Sequence, residues 1–247
     1  MPRSYSRRAN DLRPLAIRRN FVRTADGSCL IELGETRVIC TATLLPGVPA
    51  WMKDSGRGWL TAEYAMLPAS TGRRKERRAD GRAIEIQRLI GRALRAVASL
   101  ERLDGLTLTI DCDVLQADGG TRTASITGAW VAAAEALWRR RDLLPPGRLC
   151  PLTAAVVATS AGLLSGRALL DLDYREDSAA DVDVNIVMTD AGRLIEVQAA
   201  GEESTFTERD LARLLALGRR GCRQLAAAQR RALSRGAANL FLRGQSS

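Results

Sequence analysis

Across residues 106–138 an alternating strand runs through two glycines directly into a helix, and this junction fixes where the chain must pass from sheet to helix. Residues 106–114 alternate apolar side chains with Thr and Asp, the period of a half-buried strand, and 124–138 are Ala-rich and read as a helix. Gly119 and Gly120 can adopt backbone angles closed to other residues and let a ligand approach the main chain. The helix behind them offers unpaired N–H groups and the positive end of its dipole, and Arg122 adds a two-pronged cation. A phosphate fits such a place. The same residues also make a plain turn, with Thr121 or Thr123 as helix cap and Arg122 a solvated charge, and local sequence leaves both open.

Around this junction strands come in runs. Residues 15–22, 28–33 and 36–44 are short β-branched stretches separated by Ala25-Asp-Gly27 and Gly34-Glu35, so three consecutive antiparallel strands are expected. Residues 45–54 read as a loop and 59–66 as a further strand. Residues 83–100 place Ile86, Leu89, Ile90, Ala93, Leu94 and Val97 at helical spacing, with Arg88, Arg92 and Arg95 on the polar face. That stripe is either a solvated surface or a face turned to RNA or a neighbouring subunit. After a basic, proline-rich turn at 139–151, which is the plausible internal linker, strand signals recur at 156–157, 163–164, 168–174, 182–188 and 194–199. Thr207 then caps a helix running to about residue 235. Strand runs with a few interposed helices imply an α+β fold. We expect one domain over 1–247, with a basic, weakly structured arm at 1–13 and a polar tail at 236–247.

Charge narrows the partners. Thirty-seven Lys and Arg against 28 Asp and Glu leave a net charge of +9, and the cations are overwhelmingly Arg, the side chain suited to bidentate phosphate contacts. Arg73, Arg74, Lys75, Arg77, Arg78 and Arg82 crowd into 70–82 against only Glu76 and Asp80. Positive charge concentrated in a loop in this way points to RNA contact by Arg73, Arg74, Arg77 and Arg78. The chain has no histidine, which excludes Ser-His-Asp hydrolysis and every zinc site that uses imidazole. Cys29, Cys40, Cys112, Cys150 and Cys222 lack C-x-x-C spacing and read as buried thiols in a reducing compartment. No run approaches the roughly 20 apolar residues that span a bilayer, and the N-terminus is polar, so a cytoplasmic protein is expected.

Acidic charge gathers in one stretch, Asp171, Asp173, Asp177, Asp181 and Asp183. Period two puts Asp181 and Asp183 on one face of a strand if the strand has already begun, with Asp177 approaching from the preceding loop. Carboxylates drawn together repel unless a cation sits between them, and Mg²⁺ takes one or two carboxylates plus phosphate oxygens. A loop of solvated aspartates fits the same spacing.

Gln116-Ala-Asp-Gly-Gly-Thr-Arg-Thr-Ala-Ser-Ile-Thr-Gly128 resembles the signature of the ribonuclease PH family, phosphate-dependent 3′ exoribonucleases related to exosome core subunits and polynucleotide phosphorylase. Leu12-Arg-Pro14, Gly58-Trp-Leu-Thr-Ala-Glu-Tyr64, Met66-Leu-Pro68, Glu85-Ile-Gln-Arg-Leu-Ile90 and Asp171-Leu-Asp-Tyr-Arg-Glu-Asp-Ser-Ala-Ala180 accompany it in the same order. The resemblance implies a ribosomal-protein-S5-domain-2-like fold. It implies phosphorolysis of RNA with a single-stranded 3′ end, tRNA precursors among them, by inorganic phosphate, and a homo-oligomeric ring, a hexamer of three dimers. Residue by residue, it implies that Arg82, Gly120, Thr121 and Arg122 bind phosphate, and that Asp177 and Asp183 are the acidic catalytic pair that also serves Mg²⁺. Asp80-Gly-Arg-Ala83 stands where the bacterial family has Gly-Gly-Arg-Thr, and the segment before it is shortened in a way that resembles archaeal exosome catalytic subunits. That departure bears on preference for tRNA ends. The alternatives are an RNA-binding ring subunit without catalysis and a hydrolytic nuclease on the same metal site. Presence of both aspartates and both arginines disfavours the first, and a phosphate site that a water-using enzyme does not require disfavours the second.

Overall fold

Three antiparallel strands open the chain, as their punctuation requires: β1 (Leu15–Arg19), β2 (Gly27–Leu33) and β3 (Thr36–Pro46). Next come β4 (Trp59–Met66), α1 (Gly81–Arg95) and β5 (Leu106–Gln116), and β4 pairs with β5 in parallel because the helix provides the crossover. This first sheet has the order β1-β2-β3-β5-β4. Helix α2 (Thr121–Arg139) leads to β6 (Val156–Leu164), β7 (Arg167–Leu170), α3 (Tyr174–Asp177), β8 (Val182–Thr189) and β9 (Leu194–Gly201). Their four strands form an antiparallel sheet in the order β7-β6-β8-β9. Helices α4 (Glu208–Ala232) and α5 (Arg235–Gln245) follow. The computed structural model describes residues 3–77, 80–145, 149–201 and 204–245.

Helix α2 lies between the sheets. Every residue from Thr123 to Leu137 is buried, which is why small and apolar side chains predominate on all its faces. One side packs on β2 and β3, the other on β6. Strand β6 is itself covered twice, by α2 through Val156 and Ala158 and by α4 through Val157, Ala161 and Leu163, so it carries no polar alternation. Helix α1 buries Ile86, Leu89, Ile90, Ala93 and Leu94 against β4 and α2. The α+β expectation holds, and all five cysteines are buried free thiols.

The structure changes four expectations. Helix α1 begins two residues early because the Asp80 carboxylate accepts from the Ala83 N–H at 2.7 Å and caps it, and it ends at Arg95 rather than at residue 100. Residues 171–174 do not continue a strand: Asp171 turns the chain with φ 55°, and Asp173 and Glu176 form a reciprocal capping box that starts α3. The described part of the tail, to residue 245, is helical, with Phe241 of α5 packed edge-on against Trp130 at 5.0 Å. The arm is pinned rather than loose. Arg3 Nε donates to Glu176 at 2.7 Å, and Arg7 donates to the Asp171 carbonyl at 2.8 Å and to Glu176 at 3.2 Å.

Candidate active site

The glycine junction has the geometry of an anion site. Gly119 and Gly120 have φ of 74° and 67°, and Gly120 occupies the N-cap position of α2 with no side chain capping the helix. Neither Thr121 nor Thr123 is the cap. Thr123 instead donates its hydroxyl to the Gly120 carbonyl at 2.9 Å. The first amides of α2 therefore keep their capacity to bind an anion, reinforced by the helix dipole. Tyr64 of β4 donates its hydroxyl to Thr121 Oγ1 at 2.9 Å, leaving the Thr121 O–H to serve as a donor in turn. Burial pushes the Tyr64 pKa up despite the hydrogen bond and the nearby Arg82 and Arg122 charges, so this phenol stays protonated.

The glycine loop rests directly on the acidic stretch. A Cβ added at Gly119 would lie 2.7 Å from the Leu172 carbonyl oxygen and 2.9 Å from the Tyr174 nitrogen, so the two backbones touch. The Tyr174 N–H donates to Asp118 Oδ1 at 3.3 Å across the same contact. Asp177 ends α3 and is exposed. Of the five clustered aspartates, Asp171 and Asp173 are structural. Asp171 takes Arg13 in two prongs at 3.0 and 2.7 Å, and Asp173 caps α3. Burial works to raise the Asp173 pKa, but hydrogen bonds from the Glu176 amide and Ser4, with the charges of Arg7 and Arg13, hold it below the usual range. Asp181 precedes β8 and accepts from the Ser165 N–H at 2.7 Å.

Asp183 lies within β8, two residues from Asn185, whose partner across the β8–β9 ladder is Gln198. Strand alternation puts Asp183, Asn185 and Gln198 on one face. Arg122 reaches that face: its Nη1 donates to Gln198 Oε1 at 3.0 Å and meets Glu85 of α1 at 3.5 Å. The helix that starts at the glycine loop is thereby tied to the sheet carrying Asp183. Among the described residues no group of three carboxylate or thiol ligands is gathered around a metal position. Asp177 at the end of α3 and Asp183 in β8 offer carboxylate oxygens, the donor type that a hard cation such as Mg²⁺ takes.

Arg82 stands in the first turn of α1 and, with Tyr64, Lys75 and Arg77, borders a cavity of about 940 Å³. Glu63, Glu76, Asp80, Asp111 and Asp113 line it as well, and burial pushes the Asp111 and Asp113 carboxyls up, Asp113 further by the charge of Asp111. Arg73, Arg74 and Arg77 are exposed, and Arg78 lies outside the described residues. The arginines of α1 are partly used within the molecule: Arg92 pairs with Glu196 at 2.9 Å, and Arg95 donates to the Leu60 carbonyl and sits 4.9 Å over the Trp59 ring. Sequence reasoning assigned no role to Arg13, Tyr64, Glu85 or Gln198, although the first three fall within the motif blocks of the family resemblance.

The chain matches the 3′ exoribonuclease family model, domain 1 over residues 11–137 and domain 2 over 154–221, and the interval between them holds the basic, proline-rich turn. It is 53% identical over 241 residues to ribonuclease PH of Corynebacterium glutamicum (strain R), a match covering 93% of this chain and 97% of that protein. Among solved structures, rice (Oryza sativa) Rrp46 superposes with a TM-score of 0.78 at 20% identity over 94% of this chain and 100% of that one. The Archaeoglobus fulgidus exosome with RNA bound to the active site superposes with a TM-score of 0.78 at 23% identity over 91% of each chain. At these identities the structural likeness establishes the fold.

Proposed function

The chain belongs to the 3′ exoribonuclease family, and from that premise we propose that Arg82, Gly120, Thr121 and Arg122 hold the attacking phosphate while Asp177 and Asp183 serve the bond that breaks. The enzyme is a phosphate-dependent 3′ exoribonuclease of ribonuclease PH type. What carries the assignment of roles is the backbone contact of Gly119 with residues 172–174, which sets the uncapped start of α2 against the helix bearing Asp177.

In this reading two anions must meet. The α2 amides, the Thr121 hydroxyl and the Arg122 fork orient phosphate, and Arg82 offsets its charge from the rim of the cavity. A phosphate oxygen attacks phosphorus of the terminal linkage, the bond to the 3′ oxygen breaks, and a nucleoside diphosphate leaves. The departing oxygen takes a proton, which one carboxyl of the Asp177 and Asp183 pair delivers. These two residues would also hold Mg²⁺, which when bound neutralises charge on phosphate oxygens and on the leaving oxygen. The assay that tests the reaction supplies an RNA with an unpaired 3′ tail and Mg²⁺, with and without phosphate. Nucleoside diphosphates released only with phosphate are expected; monophosphates would identify hydrolysis, and no product a non-catalytic subunit.

We assign the RNA grip outside the reaction centre to Arg73, Arg74, Arg77 and Arg78. Replacing all four with Ala should flatten the log–log salt dependence of binding by about 0.7 for each single-strand phosphate that these side chains no longer neutralise. Long substrates should lose far more activity than short ones; an equal loss would make the segment structural. tRNA precursors are the substrates we favour, and a cytoplasmic setting agrees with five buried thiols and with the absence, among the described residues, of a helix able to cross a membrane. We read the chain as one domain, since a single buried cluster draws Val38 of the first sheet together with Val156 and Val187 of the second. A hexameric ring is the assembly implied, and sedimentation at micromolar concentration showing only monomer would exclude it.

A further inference from the structure

We propose that Arg13 and Thr36 are positioning residues that set the phosphate-binding loop against the aspartate-bearing helix, an inference resting on the roles assigned above. The Arg13 side chain is 0% exposed and none of its reach is directed to solvent. Its guanidinium joins two segments far apart in sequence. Nε and Nη2 donate to the Asp171 carboxylate at 3.0 and 2.7 Å, and the Arg13 backbone N–H adds a third bond to the same group at 2.7 Å. From the same fork, Nη1 donates to the Asp118 carbonyl and Nη2 to the Gly119 carbonyl at 3.3 Å. These are the two peptide groups immediately before Gly120, Thr121 and Arg122. Asp171 in turn opens the short segment whose Asp173 starts α3 and so fixes Asp177.

Thr36 closes the clamp from the other side. It is fully buried, donates its hydroxyl to the Gly119 carbonyl at 2.6 Å and accepts from the Asp118 N–H at 2.9 Å. The loop is thus held at both of its peptide groups by two buried side chains. Arg13 suits this task because a planar fork presents donors in several fixed directions. A Lys offers one compact charge and cannot span Asp171 and two carbonyls at once. Arg3 and Arg7 hold the frame behind α3, whereas Arg13 bonds both Asp171 and the glycine loop, adding a side-chain clamp to the Tyr174–Asp118 bond across the same contact. If positioning is its task, small displacement of the loop should be felt as misplacement of phosphate, where a shift of about 1 Å can lose 10²-fold in rate.

The test compares Arg13→Lys and Thr36→Val with Arg122→Ala, alone and combined, using initial rates against phosphate, RNA affinity without phosphate, and thermal unfolding. Arg13→Lys should lower kcat/KM for phosphate by about 10- to 100-fold per folded molecule with RNA affinity little changed, and Thr36→Val should do the same to a smaller extent. Because both act through the Arg122 loop, their losses should not multiply with that of Arg122→Ala. Parental kinetics with only a lowered Tm, or losses that multiply fully with Arg122→Ala, would overturn the inference. Thr36→Val decides the matter should Arg13→Lys fail to fold. If Arg122→Ala itself leaves the phosphate dependence untouched, the phosphate-site reading fails instead.

Discussion

Asp183→Asn should lower turnover by about 10²–10⁴ even at saturating phosphate, the loss typical of removing a positioned acid. Asn has nearly the same shape, so the β8 ladder should persist: Val182 and Val184 on either side are buried in the α4-facing core and fix the register. What changes is the ability to carry a proton and to hold a hard cation. That loss falls on the transition state, so kcat and kcat/KM should drop together. Arg122→Ala should behave in the opposite way, chiefly raising the phosphate concentration required, because Arg122 sits at the start of α2 where the anion would bind. Asp181→Asn is the control. Asp181 lies outside the strand and accepts from Ser165, so its variant should keep parental turnover. Initial rates against phosphate and Mg²⁺ separate the three, and complete rescue of Asp183→Asn by added phosphate would move that carboxylate into the phosphate site.

Elements whose signals are local were legible in the sequence. β4 at residues 59–66 and the Thr207 cap of α4 match their sequence signals, since strand alternation and a Thr-x-x-Asp start are written in adjacent residues. The Asp173-x-x-Glu176 capping box is equally local and could have revealed α3, but the apolar run before it suggested a continuing strand. The fate of individual arginines was not legible. Arg13 and Arg73 look alike in sequence, yet one is buried against a partner 158 positions away and the other is exposed. The basic composition favours a polyanionic partner but leaves the arginine stripe of α1 open between solvent, RNA and a neighbouring subunit. Arg3, Arg7, Arg13, Arg92 and Arg95 are engaged within the molecule, whereas Arg73, Arg74 and Arg77 are exposed.

Gly119→Ala should be the most damaging single-methyl change at the site, lowering kcat/KM for phosphate by about 10² or more. Two penalties coincide there. At φ 74° a side chain is strained by about 1–2 kcal/mol. The added carbon would also lie 2.7 to 2.9 Å from the Leu172 carbonyl oxygen, the Asp173 carbonyl carbon and the Tyr174 nitrogen, all backbone atoms that cannot turn aside. The loop must therefore lift from α3, stretching its bonds to Arg13 and Thr36 and shifting the start of α2 that bears Arg122. Gly120→Ala carries similar strain at φ 67°, but its nearest neighbours are side-chain atoms, Arg13 Nη2 at 3.0 Å and Thr123 Oγ1 at 3.2 Å, which can give way. The order of damage should accordingly be Gly119→Ala far above Gly120→Ala in phosphate-dependent rate. RNA affinity measured without phosphate should be nearly parental in both, because the basic segment lies elsewhere. Equal rates for the two variants would mean that the loop does not need its contact with α3, and with it the observation carrying the phosphate and aspartate assignments would lose its force.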